Sequence, residues 1–436
     1  MIAVAALAIR AQTPPDPTDV LAHARDNLIE RSRRLPNYTC VQTVDREYFI
    51  RPRVEDPRPS CDQMSAEARK KSYALKLNAT DRLRLDVKVS GGEEIGSWAG
   101  AHRFDSRDIV DLVGGPFGSG QFGPLLGDVF VNDGTAFQYL GQDAGSRAVQ
   151  FHYRFQVPVE ASHLMIHEAG ARDWTATSYD GELWVDPASF DVQRFSMRTS
   201  QLSPETNACE ARMISDYARV HFDSGDFLIP QQSALRFLMR DTEETQVTSR
   251  YSGCREYRGQ ATLHFTNAPA GNTGESKAAR NQKPLPAGLK ITLAFASAID
   301  TDTAAAGDLV VAKIRKPVRD DRSKEILIPA GAAVQGRILK MEHWLSPPTY
   351  RIAVLLEALD VDGVSSPLYA RLDRPDEFRS AQESSSGLRQ RGMTIILPPI
   401  GRPMTVGTFV FSTRNRRFVV PPNYQSTWTT TLPPLP

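Results

Sequence analysis

The chain has 436 residues, 41% of them hydrophobic and 24% charged, and carries a net charge of +1. This is ordinary globular composition in a chain too long for one core, so two domains are expected. Acids and bases are interspersed, which excludes a global electrostatic case for nucleic acid or for an anionic membrane surface.

Residues 1–12 open with the apolar run Ile2 to Ile9, followed by Arg10, Ala11 and Gln12 and then a Pro-rich stretch. The pattern reads as the remnant of a secretory signal peptide, which places the protein in the periplasm or outside the cell. No later stretch reaches the roughly 18 uninterrupted apolar residues of a membrane span, so no transmembrane segment is expected. Four cysteines follow, Cys40, Cys61, Cys209 and Cys254, none at CxxC or metal-finger spacing,. An even number in an exported chain predicts two disulfides, and nearness in sequence pairs Cys40 with Cys61 and Cys209 with Cys254. Each such bridge is worth about 3–4 kcal/mol.

A helix is predicted over 17–35. Asp16 caps it, Pro17 suits its first turn, Val20, Leu21, Ala24, Leu28 and Leu35 recur at helical spacing, and Pro36 ends it,. From Tyr38 the period becomes two. Leu75, Leu77, Leu83, Leu85, Val87 and Val89 alternate with charged residues, the pattern of strands with one wet face,. Further strands are expected over 38–50, 136–141, 148–156, 162–168, 174–185, 191–199, 212–223, 233–240, 245–251 and 260–266. Asp133-Gly134, Gly141-Gln142, Asp180-Gly181 and Ser224-Gly225 supply turn signals,. The fold class is therefore mainly β: a curved antiparallel sheet with an N-terminal helix over 17–266. Residues 267–284 lack apolar period and read as a linker. A second β domain, a small barrel, spans 285–420. In it Pro286-Ala287-Gly288 and Pro329-Ala330-Gly331 repeat one tight turn,. Residues 421–436 read as an extended Pro/Thr-rich tail.

Residues 179–199, YDGELWVDPASFDVQRFSMRT, set a Trp-containing strand, an Asp-Pro turn and a returning strand in order. This hairpin resembles one in the outer-membrane lipoprotein carrier (LolA-like) superfamily. The resemblance implies a curved sheet wrapping a helix around an apolar cavity for acyl chains. A solid core filled by Trp184 and Phe195 fits the same pattern. Residues 285–340, with LPAGLKI, AIDTDTAAAGDLVVAKI and ILIPAGAAVQGRI, resemble the C-terminal β-barrel of TrbI-like proteins of conjugation and type IV secretion channels. Only the barrel module carries over, since the chain has no inner-membrane span.

Gly118, Gly120 and Gly123 spell GxGxxG. A dinucleotide site needs this turn to open a helix after a parallel strand, and the surroundings are antiparallel in pattern. Phe117 and Phe122 flank the glycines, so this segment is expected as a loop over a cavity mouth. His163 and His167 lie ~13 Å apart on a strand, too far to share an ion, so no metal site is predicted. Asp300, Asp302, Asp360 and Asp362 are expected as turn residues. There is no GxSxG, P-loop or nucleophile–base pairing, so no catalytic residue and no cofactor is assigned. The sequence points to a non-enzymatic cell-envelope binding protein. Its expected ligand is a lipid acyl chain or apolar peptide held in the first domain, and its expected partner another envelope protein. The alternative is a scaffold component of an envelope or secretion assembly, and the space between the 17–35 helix and the first sheet separates the two.

Overall fold

The computed structural model describes residues 15–433 except 52–58, 69–74, 92, 102–112, 119–123, 145–148, 167–173, 200–201, 203–205, 207, 258–284, 321–322, 374–405 and 414. The signal-peptide and linker segments therefore lie outside the described residues, as do the expected strand at 260–266, His167, Gly120, Phe122 and Gly123.

Helix α1 (Pro17–Arg34) forms as its sequence dictates: Asp16 accepts a hydrogen bond from the Thr18 amide at 2.7 Å and Pro17 occupies the first turn,. Twelve strands follow: β1 (Tyr38–Ile50), β2 (Lys76–Ser90), β3 (Glu93–Trp98), β4 (Ala136–Ala144), β5 (Val149–Val157), β6 (Met165–Ile166), β7 (Thr175–Ala176), β8 (Tyr179–Val185), β9 (Val192–Thr199), β10 (Ala208–Phe222), β11 (Gly225–Met239) and β12 (Glu244–Glu256). Ten of them make one sheet, ordered β4-β5-β8-β9-β10-β11-β12-β1-β2-β3, with every neighbouring pair antiparallel. Chain order is followed except at one place. There β1, the first strand, closes against β12, the last.

One face of this sheet is apolar and packs on α1. Val20 and Ala24 of the helix are fully buried and belong to one apolar cluster with Tyr153, Phe155, Leu183 and Phe195. Three polar contacts and a ring stack fix the helix: Tyr153 Oη donates to the Pro17 carbonyl at 2.7 Å, Arg31 pairs with Asp191 at 2.5 Å, Asn27 Nδ2 donates to the Ser189 carbonyl at 3.3 Å, and His23 stacks on Phe190 at 4.8 Å. Trp184 departs from the expected core role. It alternates to the outer face, where its ring lies 4.5 Å from His152 and its Nε1–H donates to Asp143. Gly181 is no turn residue either. It sits inside β8, where a Cβ would fall 2.0 Å from the Ser196 carbonyl and 2.5 Å from Phe155,.

Two short helices escape the sequence reading. Helix α2 (Cys61–Glu67) opens with a capping box between Ser60 and Gln63,. Helix α3 (Pro124–Val131) follows the glycine-rich segment directly, and its Leu126, Val129 and Phe130 join the main core.

The cysteine pairing differs from expectation. Cys40 bonds Cys254 and Cys61 bonds Cys209. The cause is the closure of β1 on β12. Their ladder pairs Thr39 with Arg255 and Val41 with Ser252, and this shift sets Cys40 against Cys254 with Cα atoms 4.1 Å apart. Cys61 and Cys209 pin α2 over β10 in a satellite cluster with Met64 and Leu238.

The C-terminal half adds β13 (Lys290–Phe295), β14 (Ile299–Asp300), β15 (Leu309–Ile314), β16 (Val318–Arg319), β17 (Ile326–Ile328), β18 (Ala333–Leu345), β19 (Pro348–Val361), β20 (Val364–Pro367), β21 (Ala370–Leu372), β22 (Val406–Ser412), β23 (Val419–Val420) and β24 (Gln425–Thr430). The main ladder runs β21-β24-β13-β15-β18-β19-β22, again antiparallel throughout. It curls until its end strands touch, since a Cβ on Gly407 of β22 would lie 2.7 Å from Leu372 of β21 and 2.3 Å from Trp428. The stretch read as a tail is integral: β24 lies between β13 and β21, and its Trp428 is fully buried in this second core. Both Pro-Ala-Gly turns form, with Gly288 and Gly331 at φ of +92° and +90°,.

The two halves share backbone hydrogen bonds. Strand β3 covers only Leu85–Ser90 of β2. The remaining edge of β2 takes β18, with Asp81, Thr80 and Ala79 opposite Glu342, His343 and Trp344. Between these two partners, Ala306 bridges Leu83 in parallel.

Candidate functional site

The seam at β2 is built by the turn that follows β14. Ala306 donates to the Arg82 carbonyl at 2.8 Å, and the Arg84 amide donates to Ala306 at 2.7 Å. Ala305 and Ala306 are fully buried, and Gly307 has φ of +106°. A Cβ on Gly307 would fall 2.1 Å from the Arg84 carbonyl and 3.1 Å from the Trp98 ring, so no side chain fits. Charge completes the seam. Arg84 pairs with Asp308, and the buried Arg337 of β18 donates to the carbonyls of Ala99 at 2.5 Å and Gly307 at 2.7 Å. The sequence signal for this close approach was the run Ala304-Ala305-Ala306-Gly307, residues small enough to let two backbones meet.

Beside the seam lies a cleft of about 670 Å³ with walls from both halves. One wall carries Asp45, which accepts from Arg82 at 2.6 Å and Arg250 at 2.9 Å. The other carries His343, stacked on Tyr350 at 4.1 Å, with its pKa lowered by burial. Charges of both signs line this cleft, with Asp45, Arg82, Arg250 and Glu342 beside Met341 and Tyr350.

At the cleft's inner end Arg46 is 4% exposed. It makes a two-pronged bond to Asp81, with Nε and Nη2 each 2.7 Å from a carboxylate oxygen,. Burial opposes its charge, but Asp81, Tyr48 and Glu342 outweigh burial and raise its pKa,. Tyr48 donates to the same carboxylate at 3.1 Å, and burial pushes its hydroxyl well above the usual phenol range. Arg46 also donates to the Gly114 and Pro116 carbonyls. These precede Phe117, which is buried in the same core as Leu126, Val129 and Phe130 of α3. The segment expected as a cavity mouth thus carries Phe117 into the core.

Elsewhere on the inner face, hydroxyls gather around Tyr251. Gln42 Nε2 donates to Ser249 at 3.1 Å and to Tyr251 at 3.4 Å, and Ser233 lies 3.4 Å from Tyr251. Burial, with smaller effects from Glu94, raises the pKa of Tyr38 and Tyr217. On α3, Asp128 accepts from Tyr179 at 2.8 Å and contacts His163 Nδ1 at 2.5 Å, a contact that raises the His163 pKa. This grouping was not foreseen, because Asp128 sits on an unpredicted helix. It fastens α3 to the sheet. The Asp-x-Asp pairs are turn formers: Asp300 accepts from the Asp302 amide at 3.1 Å and Asp360 from the Gly363 amide at 3.0 Å,. Among the described residues no group of three His, Cys, Asp or Glu side chains could hold a metal ion, and no helix is long and apolar enough to cross a membrane.

No protein-family model matches the chain, and no curated protein matches it. Solved structures do. ComB10 of the Com type IV secretion system of Helicobacter pylori is 14% identical over 34% of this chain and 86% of its own, at a TM-score of 0.18. A DUF1329 family protein from Desulfovibrio piger is 8% identical over 58% of this chain and 98% of its own, at 0.26. A LolA superfamily protein from Nitrosomonas europaea is 10% identical over 54% of this chain and 94% of its own, at 0.23.

Proposed function

We propose that this chain is a non-enzymatic protein of the bacterial cell envelope, periplasmic or secreted, acting as a rigid structural component of an envelope or secretion assembly. In this reading, domains at 17–266 and 285–430 are connected through 267–284 and behave as one body. The observation that carries it is the shared backbone ladder: β18 and Ala306 occupy the edge of β2 that β3 leaves open. Such an edge is a site of strand addition, and here the chain fills its own. The burial of Val20 and Ala24 in one apolar cluster with Tyr153, Phe155 and Phe195 supports a platform rather than a container.

A second reading, an apolar-ligand carrier, draws support from Phe117 and α3, which cover the apolar face through a segment tied down at Arg46. Both readings meet one experiment. The protein is purified from its native envelope after cross-linking, and bound lipid is extracted for mass spectrometry. A protein partner cross-linked in constant ratio, without acyl chains, is the outcome expected of a structural component. Stoichiometric acyl chains would favour the carrier, and a monomer with neither would overturn both.

A further inference from the structure

Arg46 bonds two separate parts of the molecule and feels the charge of a third. Its guanidinium holds Asp81 of β2, which is the residue paired with Glu342 of β18. It donates to the Gly114 and Pro116 carbonyls, and a Cβ on Gly115 would lie 3.0 Å from its Nη1. From β18, the Glu342 carboxylate adds to its stabilisation. We propose that Arg46 couples the docking of the C-terminal half on β2 to the closure of the Gly114–Phe117 segment over the N-terminal core. This goes beyond the structural reading, because it makes the seam a control point and holds with or without an apolar ligand.

The physical basis is the dielectric around the pair. With β18 in place, Asp81 is 10% exposed and Arg46 5%, so their attraction is little screened,. Lifting β18 from β2 admits water beside Asp81 and weakens the pair. The guanidinium then loses its fixed orientation and releases the carbonyls that lead into Phe117. Coupling of this kind is reciprocal: what loosens the segment must also loosen the seam.

Amide hydrogen exchange on the full chain tests this with two variants that start from opposite ends. Gly307→Ala disturbs the seam and touches neither Arg46 nor residues 114–117. It is expected to raise exchange in α3, which shares its core with Phe117, at least tenfold. Arg46→Met removes the connection and is expected to raise exchange in α3 and also at His343–Leu345 of β18. Arg46→Lys keeps the charge without the two-pronged bond and should fall between Arg46→Met and the parent. Exchange in α3 at the parental rate in Gly307→Ala, with the seam amides already accelerated, would overturn the proposal and leave Arg46 a local prop. So would an Arg46→Met protein that loosens α3 alone. Neither readout involves lipid or a partner, so a failure here is separate from a failure of the structural reading.

Discussion

Gly307→Ala perturbs the seam directly, because it adds one carbon where the two halves meet and deletes no atom. That carbon would stand 2.1 Å from the Arg84 carbonyl, on a residue held at φ of +106°. Backbone strain at such an angle costs about 1–3 kcal/mol for a residue with a side chain. Relieving the clash means moving Ala306–Gly307 off β2. That breaks the Arg84–Ala306 and Ala306–Arg82 backbone bonds, at about 1 kcal/mol each. Together the seam loses about 3–5 kcal/mol. Calorimetry should then resolve two unfolding transitions where the parent has one, and small-angle scattering should show a larger radius of gyration. Gly331→Ala is the control: φ is +90° there, but nothing lies within 4 Å of the new Cβ, so only strain applies. If Gly307→Ala behaved like Gly331→Ala, with a single transition and unchanged scattering, the seam would not be what holds the halves together.

Three further outcomes follow from the packing, the disulfides and the buried acid. Gly181→Ala should cost about 3 kcal/mol or more, read by chemical denaturation, because its Cβ would meet the Ser196 carbonyl at 2.0 Å and Phe155 at 2.5 Å,. Peptide mapping without reduction should recover Cys40 linked to Cys254 and Cys61 linked to Cys209; a Cys40–Cys61 peptide would refute the strand closure. With partners separated by 214 and 148 positions in sequence, each bridge restricts the unfolded chain by on the order of 5 kcal/mol. Burial, with help from Asp241, pushes the Glu243 carboxyl up to about 7 from 4.5. The folded chain therefore keeps a proton that the unfolded chain releases. This contribution is complete below pH 4.5 and disappears as pH rises through about 7. Glu243→Gln should flatten that slope and add about 1 kcal/mol above pH 8, a modest gain because the group is partly exposed; an unchanged pH profile of the melting temperature would count against the shift.

What the sequence made legible was local. The cap at Asp16, the period-two runs and the two Pro-Ala-Gly turns each depend on a few neighbouring residues, and each appears where expected. The misreadings concern residues whose role is set by distant partners. Gly181 looks like a turn signal because its need for space comes from Phe155 on the next strand. Trp184 looks like a core residue because its partner His152 is 32 positions away. The cysteines were paired by nearness in sequence, but closing β1 on β12 brings the chain's distant parts together. Helix α3, with the sequence PLLGDVFV, is apolar on most sides and gives no amphipathic stripe to read,. Of the candidate site, Ala304 to Gly307 gave a compositional hint. Arg46 gave none, since a single arginine in an alternating strand normally faces water.

The meeting of β1 with β12 also governs how the polypeptide is made. As synthesis proceeds, β1 finds β2 early but waits for a partner more than 200 residues downstream. Until that strand emerges, one flank of β1 offers unsatisfied amides and carbonyls, and the thiol of Cys40 has no mate. The N-terminal half can therefore complete its sheet and join Cys40 to Cys254 only after nearly all of it has left the ribosome,.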